Sequence, residues 1–101
     1  MSLVRIIAKS TLRAFWAVHP DAEEPLLAWY REVEKEDWSE PAQVKEKYCN
    51  ASIVKGNRVV FNIKGNEHRL ITVVNYRATT VLVRELLTHA EYSKDQWKKR
   101  I

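Results

Sequence analysis

Residues 58–76 read Arg58-Val59-Val60-Phe61-Asn62-Ile63-Lys64-Gly65-Asn66-Glu67-His68-Arg69-Leu70-Ile71-Thr72-Val73-Val74-Asn75-Tyr76. The run Arg58–Lys64 is rich in β-formers and alternates with period two at its end, and His68–Tyr76 is a second β-rich run. Gly65-Asn66 between them fits a two-residue hairpin turn, because both residues tolerate positive φ. That turn sets a register with Lys64 opposite Glu67, Asn62 opposite Arg69 and Phe61 opposite Leu70. One face then carries Phe61, Ile63, His68, Leu70, Thr72 and Val74, which is mostly apolar. The other carries Asn62, Lys64, Glu67, Arg69, Ile71 and Val73. Thr80–Leu87, after a turn at Arg77–Thr79, reads as a third strand. A turn centred on Arg77-Ala78 places Ile71 opposite Arg84 and Arg69 opposite Leu86, so Arg84 is expected on one surface with Arg69 and Lys64. A one-residue slip moves Arg84 to the other face. Cations gathered this way repel, and persist most easily where an anion is expected. Ion pairing with Glu67 and Glu85 on an ordinary solvated face is an equally open reading.

Working outward, Val4–Ala8 is a short apolar segment expected to be a strand. Ser10 reads as a helix N-cap, followed by Leu12, Phe15 and Trp16 on one side. His19-Pro20 ends that helix, because a residue before proline avoids helical angles. Asp21 with Glu24 resembles a capping box for a second helix, in which Pro25 lies early enough to be tolerated. Leu26, Tyr30 and Val33 form its apolar stripe. Ser39 and Pro41 predict one or two more helical turns, through Val44 to about Tyr48. Beyond Thr88, Tyr92 to Ile101 is expected to hold a last short helix anchored by Trp97. Two N-terminal helices, a small antiparallel-dominated sheet and a short C-terminal helix make an α+β fold.

The 101 residues suffice for one core, so residues 1–101 are expected to be a single domain. The apolar fraction of 46% and charged fraction of 30% exclude a disordered chain. No apolar run approaches the ~18 residues of a membrane span, and no secretory leader pattern is present. Cys49, the only cysteine, cannot form an internal disulfide, which suits a cytoplasmic protein. With no second cysteine and no nearby histidine, it supports neither zinc nor nucleophilic chemistry. The absence of a Gly-rich phosphate loop removes nucleotide hydrolysis. Charge is unevenly spread: residues 1–54 hold seven basic and nine acidic groups, and residues 55–101 hold ten basic and four acidic. A basic C-terminal half, with Lys55, Arg58 and Lys64 near its start, fits either a polyanion partner or a plain solvated surface.

The stretch Phe61–Ile71, followed by Arg84 and by Thr88-His89-Ala90-Glu91-Tyr92, resembles the HigB-type toxins of bacterial type II toxin–antitoxin modules, within the RelE-like group. The resemblance runs from Ile6-Ile7 through Trp38, Pro41 and Val44 to Tyr92. It implies a RelE-like fold and an endoribonuclease that cuts messenger RNA in the A site of translating ribosomes. It implies attack by the substrate's own 2′-hydroxyl on the adjacent phosphate, with no metal and no cofactor. It also implies a helix-turn-helix antitoxin of HigA type, with operator DNA bound only through that antitoxin, and no membrane partner.

Such a reaction needs a base for the 2′-hydroxyl, an acid for the leaving 5′-oxygen and positive charge on the transition state. Arg69 and Arg84 suit the last task, because guanidinium offers phosphate a planar donor fork. Lys64 can do the same as a point charge, with Asn62, Lys55 and Arg58 as further RNA contacts. His89 is the natural proton-transfer group, and Tyr92 follows it by one helical turn. Structural roles stay open beside these: His89 as a helix cap, Tyr92 packed under the tail, and His68 as a half-buried core residue. Trp16, Trp29 and Trp38 read as core or antitoxin contacts. Two other function classes stand against the nuclease: a non-catalytic RNA- or ribosome-binding module, and an inactive corepressor.

Overall fold

The computed structural model of the protein describes residues 4–65, 67–94 and 97. In chain order its elements are β1 (Arg5–Ile7), α1 (Lys9–Val18), a 3-10 turn (Pro20–Ala22), α2 (Glu23–Val33) and α3 (Pro41–Lys47). Then follow β2 (Ser52–Val54), β3 (Arg58–Ile63), β4 (His68–Asn75), β5 (Thr80–Thr88) and α4 (His89–Ser93). The strands form one sheet in the order β1-β5-β4-β3-β2, antiparallel except where β1 runs parallel to β5. The fold is α+β, as the segregation of helical and alternating segments predicts.

The β3–β4 register matches the expected one, with Phe61 opposite Leu70 and Asn62 opposite Arg69. Ile63 pairs with His68, and Glu67 N–H donates to Lys64 O at 3.1 Å. Lys64 belongs to this turn rather than the strand, with φ at +53°. Asn66 of the expected turn lies outside the described residues.

The face bearing Val59, Phe61, Ile63, Leu70, Val74, Val81 and Val83 packs against Leu12 of α1, Leu26, Trp29 and Val33 of α2, and Trp38 and Val44 beyond them. Trp29 meets Phe61 edge-on at 5.3 Å, and Trp38 stacks on Phe61 at 6.2 Å. Trp29 and Trp38 are thus buried core, while Trp16 packs at its rim. The opposite face carries a smaller cluster of Val60, Ile71, Leu87 and Trp97.

Four expectations change. β2 was not anticipated: its three residues are too few for a period to show. The one local signal for it is Gly56-Asn57, which repeats the Gly-Asn dipeptide of the next turn and takes positive φ at both residues. α1 starts at Lys9 with Ala8 as N-cap, ahead of the expected Ser10 cap. Asp21 does not cap α2, because its carboxylate is taken by Lys64 and His68 across the fold. The last described helix begins at His89, and most of the expected helix to Ile101 lies outside the described residues. Its start is written in the sequence as Thr88-x-x-Glu91: Thr88 N–H donates to Glu91 Oε1 at 2.9 Å, and Glu91 N–H to Thr88 Oγ1 at 3.3 Å.

Candidate active site

The sheet face opposite α1 and α2 carries Arg69, Asn62 and Arg58, with Tyr92 of α4 against Arg69. Alternation from the turn places Arg69, Ile71 and Val73 on this face of β4, with Asn62, Val60 and Arg58 opposite them on β3. Arg69 is buried, at 8% exposure. Its Cζ lies 5.1 Å from the centroid of the Tyr92 ring, a cation–π contact. The same ring stacks on Trp97 at 5.0 Å with 16° between planes, and Trp97 Nε1–H donates to Tyr92 O at 3.1 Å. Burying that indole against Val60, Ile71 and Leu87 holds α4 over the sheet.

His89 is the first residue of α4, and its N–H donates to Glu67 O at 2.9 Å, tying α4 to the β3–β4 turn. Its side chain is exposed, one helical turn ahead of Tyr92. The capping hydrogen bonds from Thr88 hold the Glu91 carboxyl below its ordinary pKa. Arg58 is half-buried near the Lys55–Asn57 turn, and Lys55 is exposed in that turn. Arg58 stands four residues from Asn62 along β3, about 13 Å at strand rise.

Two expected members of this surface lie elsewhere. Arg84 does not take the expected place opposite Ile71: Arg69 pairs with Leu87 and Ile71 with Glu85, after which Thr72 pairs with Val83. Arg84 is the unpaired residue of this bulge, and it lines a groove with Phe15, Val18 and His19 of the α1 end. The physical reason is the one-residue slip the bulge introduces between β4 and β5. Lys64 is drawn to the helical side, where its Nζ bonds Asp21 Oδ2 at 3.0 Å. His68 Nε2 approaches the same oxygen at 3.2 Å, and the His68 ring packs against Phe15 and His19. Hydrogen bonds from Lys64, and then from His68, hold the Asp21 carboxyl below its ordinary pKa. His68, at 5% exposure, is the core histidine expected from its face.

Asp21 and Trp97 were not singled out as partners of site residues. Nothing local announces Asp21, because both of its partners are more than forty residues away. Among the described residues no group of three or more His, Cys, Asp or Glu side chains stands close enough to hold a metal ion. Among them also no helix is long and apolar enough to cross a membrane.

A family described as HigB toxin, the RelE-like toxic component of a toxin–antitoxin system, matches residues 22–95. The chain belongs to the HigB toxin family. The match spans α2 through α4 and so includes Asn62, Arg69, His89 and Tyr92. The chain is 26% identical over 93 residues, 90% of each protein, to the mRNA interferase HigB of Escherichia coli O6:H1. It is 25% identical over 91 residues, 88% of each, to the mRNA interferase toxin HigB of Escherichia coli K12.

Proposed function

We propose that this HigB-family chain is the toxin of a type II toxin–antitoxin module and cuts messenger RNA on translating ribosomes, its residues 1–101 acting as one domain in the cytoplasm. The observation that carries the reading is the Arg69 guanidinium held against Tyr92, one helical turn from His89, on the sheet face opposite α1 and α2 and beside α4. Arg69 takes the scissile phosphate and stabilises the charge that grows on it. The 2′-hydroxyl attacks that phosphorus, its proton leaves to a base, and the 5′-oxygen departs with a proton, leaving a 2′,3′-cyclic phosphate. His89 has the exposure and the chemistry for one of those proton transfers. Tyr92 aims Arg69 through the cation–π contact. Asn62 contacts the RNA next to Arg69, while Lys55 and Arg58 hold the strand further along the face. No step of this route calls for a metal. Arg84 and Lys64 fall outside this centre, the first in the bulge and the second in the Asp21 ion pair. A helix-turn-helix antitoxin of HigA type is the expected protein partner, with operator DNA reached through it.

The test is induction of the wild-type chain, His89→Ala and Arg69→Lys in cells lacking the antitoxin, with mapping of mRNA 5′ ends. New ends within translated reading frames are expected for wild type alone, with losses of about 10²-fold or more for His89→Ala. Arg69→Lys keeps the buried charge but not the planar fork, and circular dichroism confirms that it folds. Absence of new ends with soluble, well-expressed wild type overturns the nuclease reading.

A further inference from the structure

We propose that a hollow beside Asn62 is a subsite for one nucleobase of a single-stranded RNA. The inference rests on the RNA-cleaving reading above and adds to it the place where sequence is read. The hollow exists because β2 pairs with β3 only as far as Val60, which sits opposite Ser52. Past that point no strand among the described residues pairs with the edge of β3, and the connection from α3 to β2 faces it across a gap. The space between is a pocket of about 260 Å³, with Lys47, Tyr48, Asn50, Phe61, Asn62 and Gly65 among its lining. That is less than the ~300–1,000 Å³ of pockets for drug-sized ligands, and suits one planar ring system.

Its walls are already in place. Lys45 Nζ donates to Cys49 O at 2.8 Å and to Ala51 O at 2.7 Å, closing the connection into a fixed loop. Tyr48 O–H donates to Glu32 Oε1 at 2.7 Å, and its ring meets Phe61 edge-on at 5.1 Å. A preformed wall lowers the ordering cost of binding. Gly65 keeps one side open, since a Cβ there would meet nothing within 4 Å.

The lining has the chemistry of base readout. The Asn50 and Asn62 carboxamides each carry two donors and an acceptor, the combination that reads the edge of an unpaired base. Among the described residues the Asn62 carboxamide makes no hydrogen bond, and Asn62 is half-buried in the lining. Half-buried Tyr48, backed by Phe61, supplies apolar wall, and the exposed Lys47 ammonium supplies positive charge for the sugar–phosphate chain. Asn62 is also the register partner of Arg69. A base in the hollow therefore leaves its phosphate chain running toward the Arg69 surface, and sequence choice and phosphate binding come from adjacent positions on one sheet.

The test uses the isotopically labelled full chain and 2′-O-methyl trinucleotides of each of the four bases, which lack the attacking hydroxyl and cannot be cut. The side-chain amide signals of Asn50 and Asn62 are followed by NMR, with ribose 5-phosphate as the base-free probe. Saturable shifts of both signals are expected, with one base preferred. Asn50→Ala is expected to weaken that base by about tenfold, and Asn50→Asp, which exchanges donors for acceptors, to change the order of preference. Shifts near Arg69 and Tyr92 without any at Asn50 overturn the subsite while leaving the RNA reading intact. Equal shifts from ribose 5-phosphate reduce the hollow to a phosphate contact and also overturn it. Failure of all four trinucleotides to shift either amide overturns it as well, and the separate mapping of mRNA ends then decides the RNA reading.

Discussion

The guanidinium carbon of Arg69 lies 5.1 Å from the centre of the Tyr92 ring, and Arg69 is thereby coupled to a residue 23 positions later in another element. Since Tyr92 in turn stacks on Trp97, the aim of the phosphate-binding group depends on how the C-terminal segment packs. Tyr92→Phe keeps both ring contacts, and is expected to leave cleavage within about threefold of wild type. Tyr92→Ala removes a desolvated contact worth up to about 2 kcal/mol, and is expected to lower cleavage by about tenfold. Quantified primer extension at one mapped cut site distinguishes the two.

Trp97 fills the cluster on the α4 side of the sheet at 1% exposure. Trp97→Ala is expected to cost about 3–5 kcal/mol of stability, read as a fall in the urea midpoint, and Trp97→Phe clearly less.

Arg84 provides a contrast with Arg69. It lies in the β5 bulge beside the end of α1, so Arg84→Ala is expected to change cleavage by less than about threefold, as exposed substitutions away from a site do. A loss comparable to that of Arg69→Lys, in the same end-mapping assay, would place Arg84 at the scissile phosphate after all.

The Asp21 carboxyl titrates below its ordinary value in the folded protein because Lys64 and His68 bond its charged form. The unfolded chain therefore binds more protons in the acid range. This contribution is fully present above about pH 4, the unfolded carboxylate value, and is lost as pH falls through the folded one. Asp21→Asn is expected to flatten the acid limb of a stability profile measured between pH 3 and pH 6. An unchanged acid limb would show that the pairs with Lys64 and His68 add nothing, as exposed pairs sometimes do.

The α4 cap offers a local test. Thr88→Ala removes the hydroxyl that accepts from Glu91 N–H, which is expected to cost about 0.5–2 kcal/mol. Because α4 carries His89 and Tyr92, cleavage should fall with it, and hydrogen exchange at residues 89–93 should rise.

Much of the site was legible wherever one short stretch contains both the signal and its consequence. Asn62 opposite Arg69 follows from a Gly-Asn turn and two alternating runs, and Thr88 and Glu91 announce their helix within four residues. His68 on the apolar face followed from the same alternation. The placements of Arg84 and Lys64 were not legible. Arg84 depends on a bulge between strands whose residues look the same in either register. Lys64 depends on a carboxylate 43 positions earlier in the chain.

Composition, periodicity and turn chemistry determined the α+β class, the β3–β4 pairing and the face on which Arg69 stands, because these are settled by interactions a few residues apart. Tertiary packing alone decided that β1 runs parallel to β5, that β5 slips by one residue at Arg84, that Asp21 draws Lys64 to the helical side, and that Trp97 folds back beneath Tyr92. A one-residue slip changes no local propensity, yet it turns the following side chains to the other face. Only the fit of the two packed faces of the sheet distinguishes the alternatives.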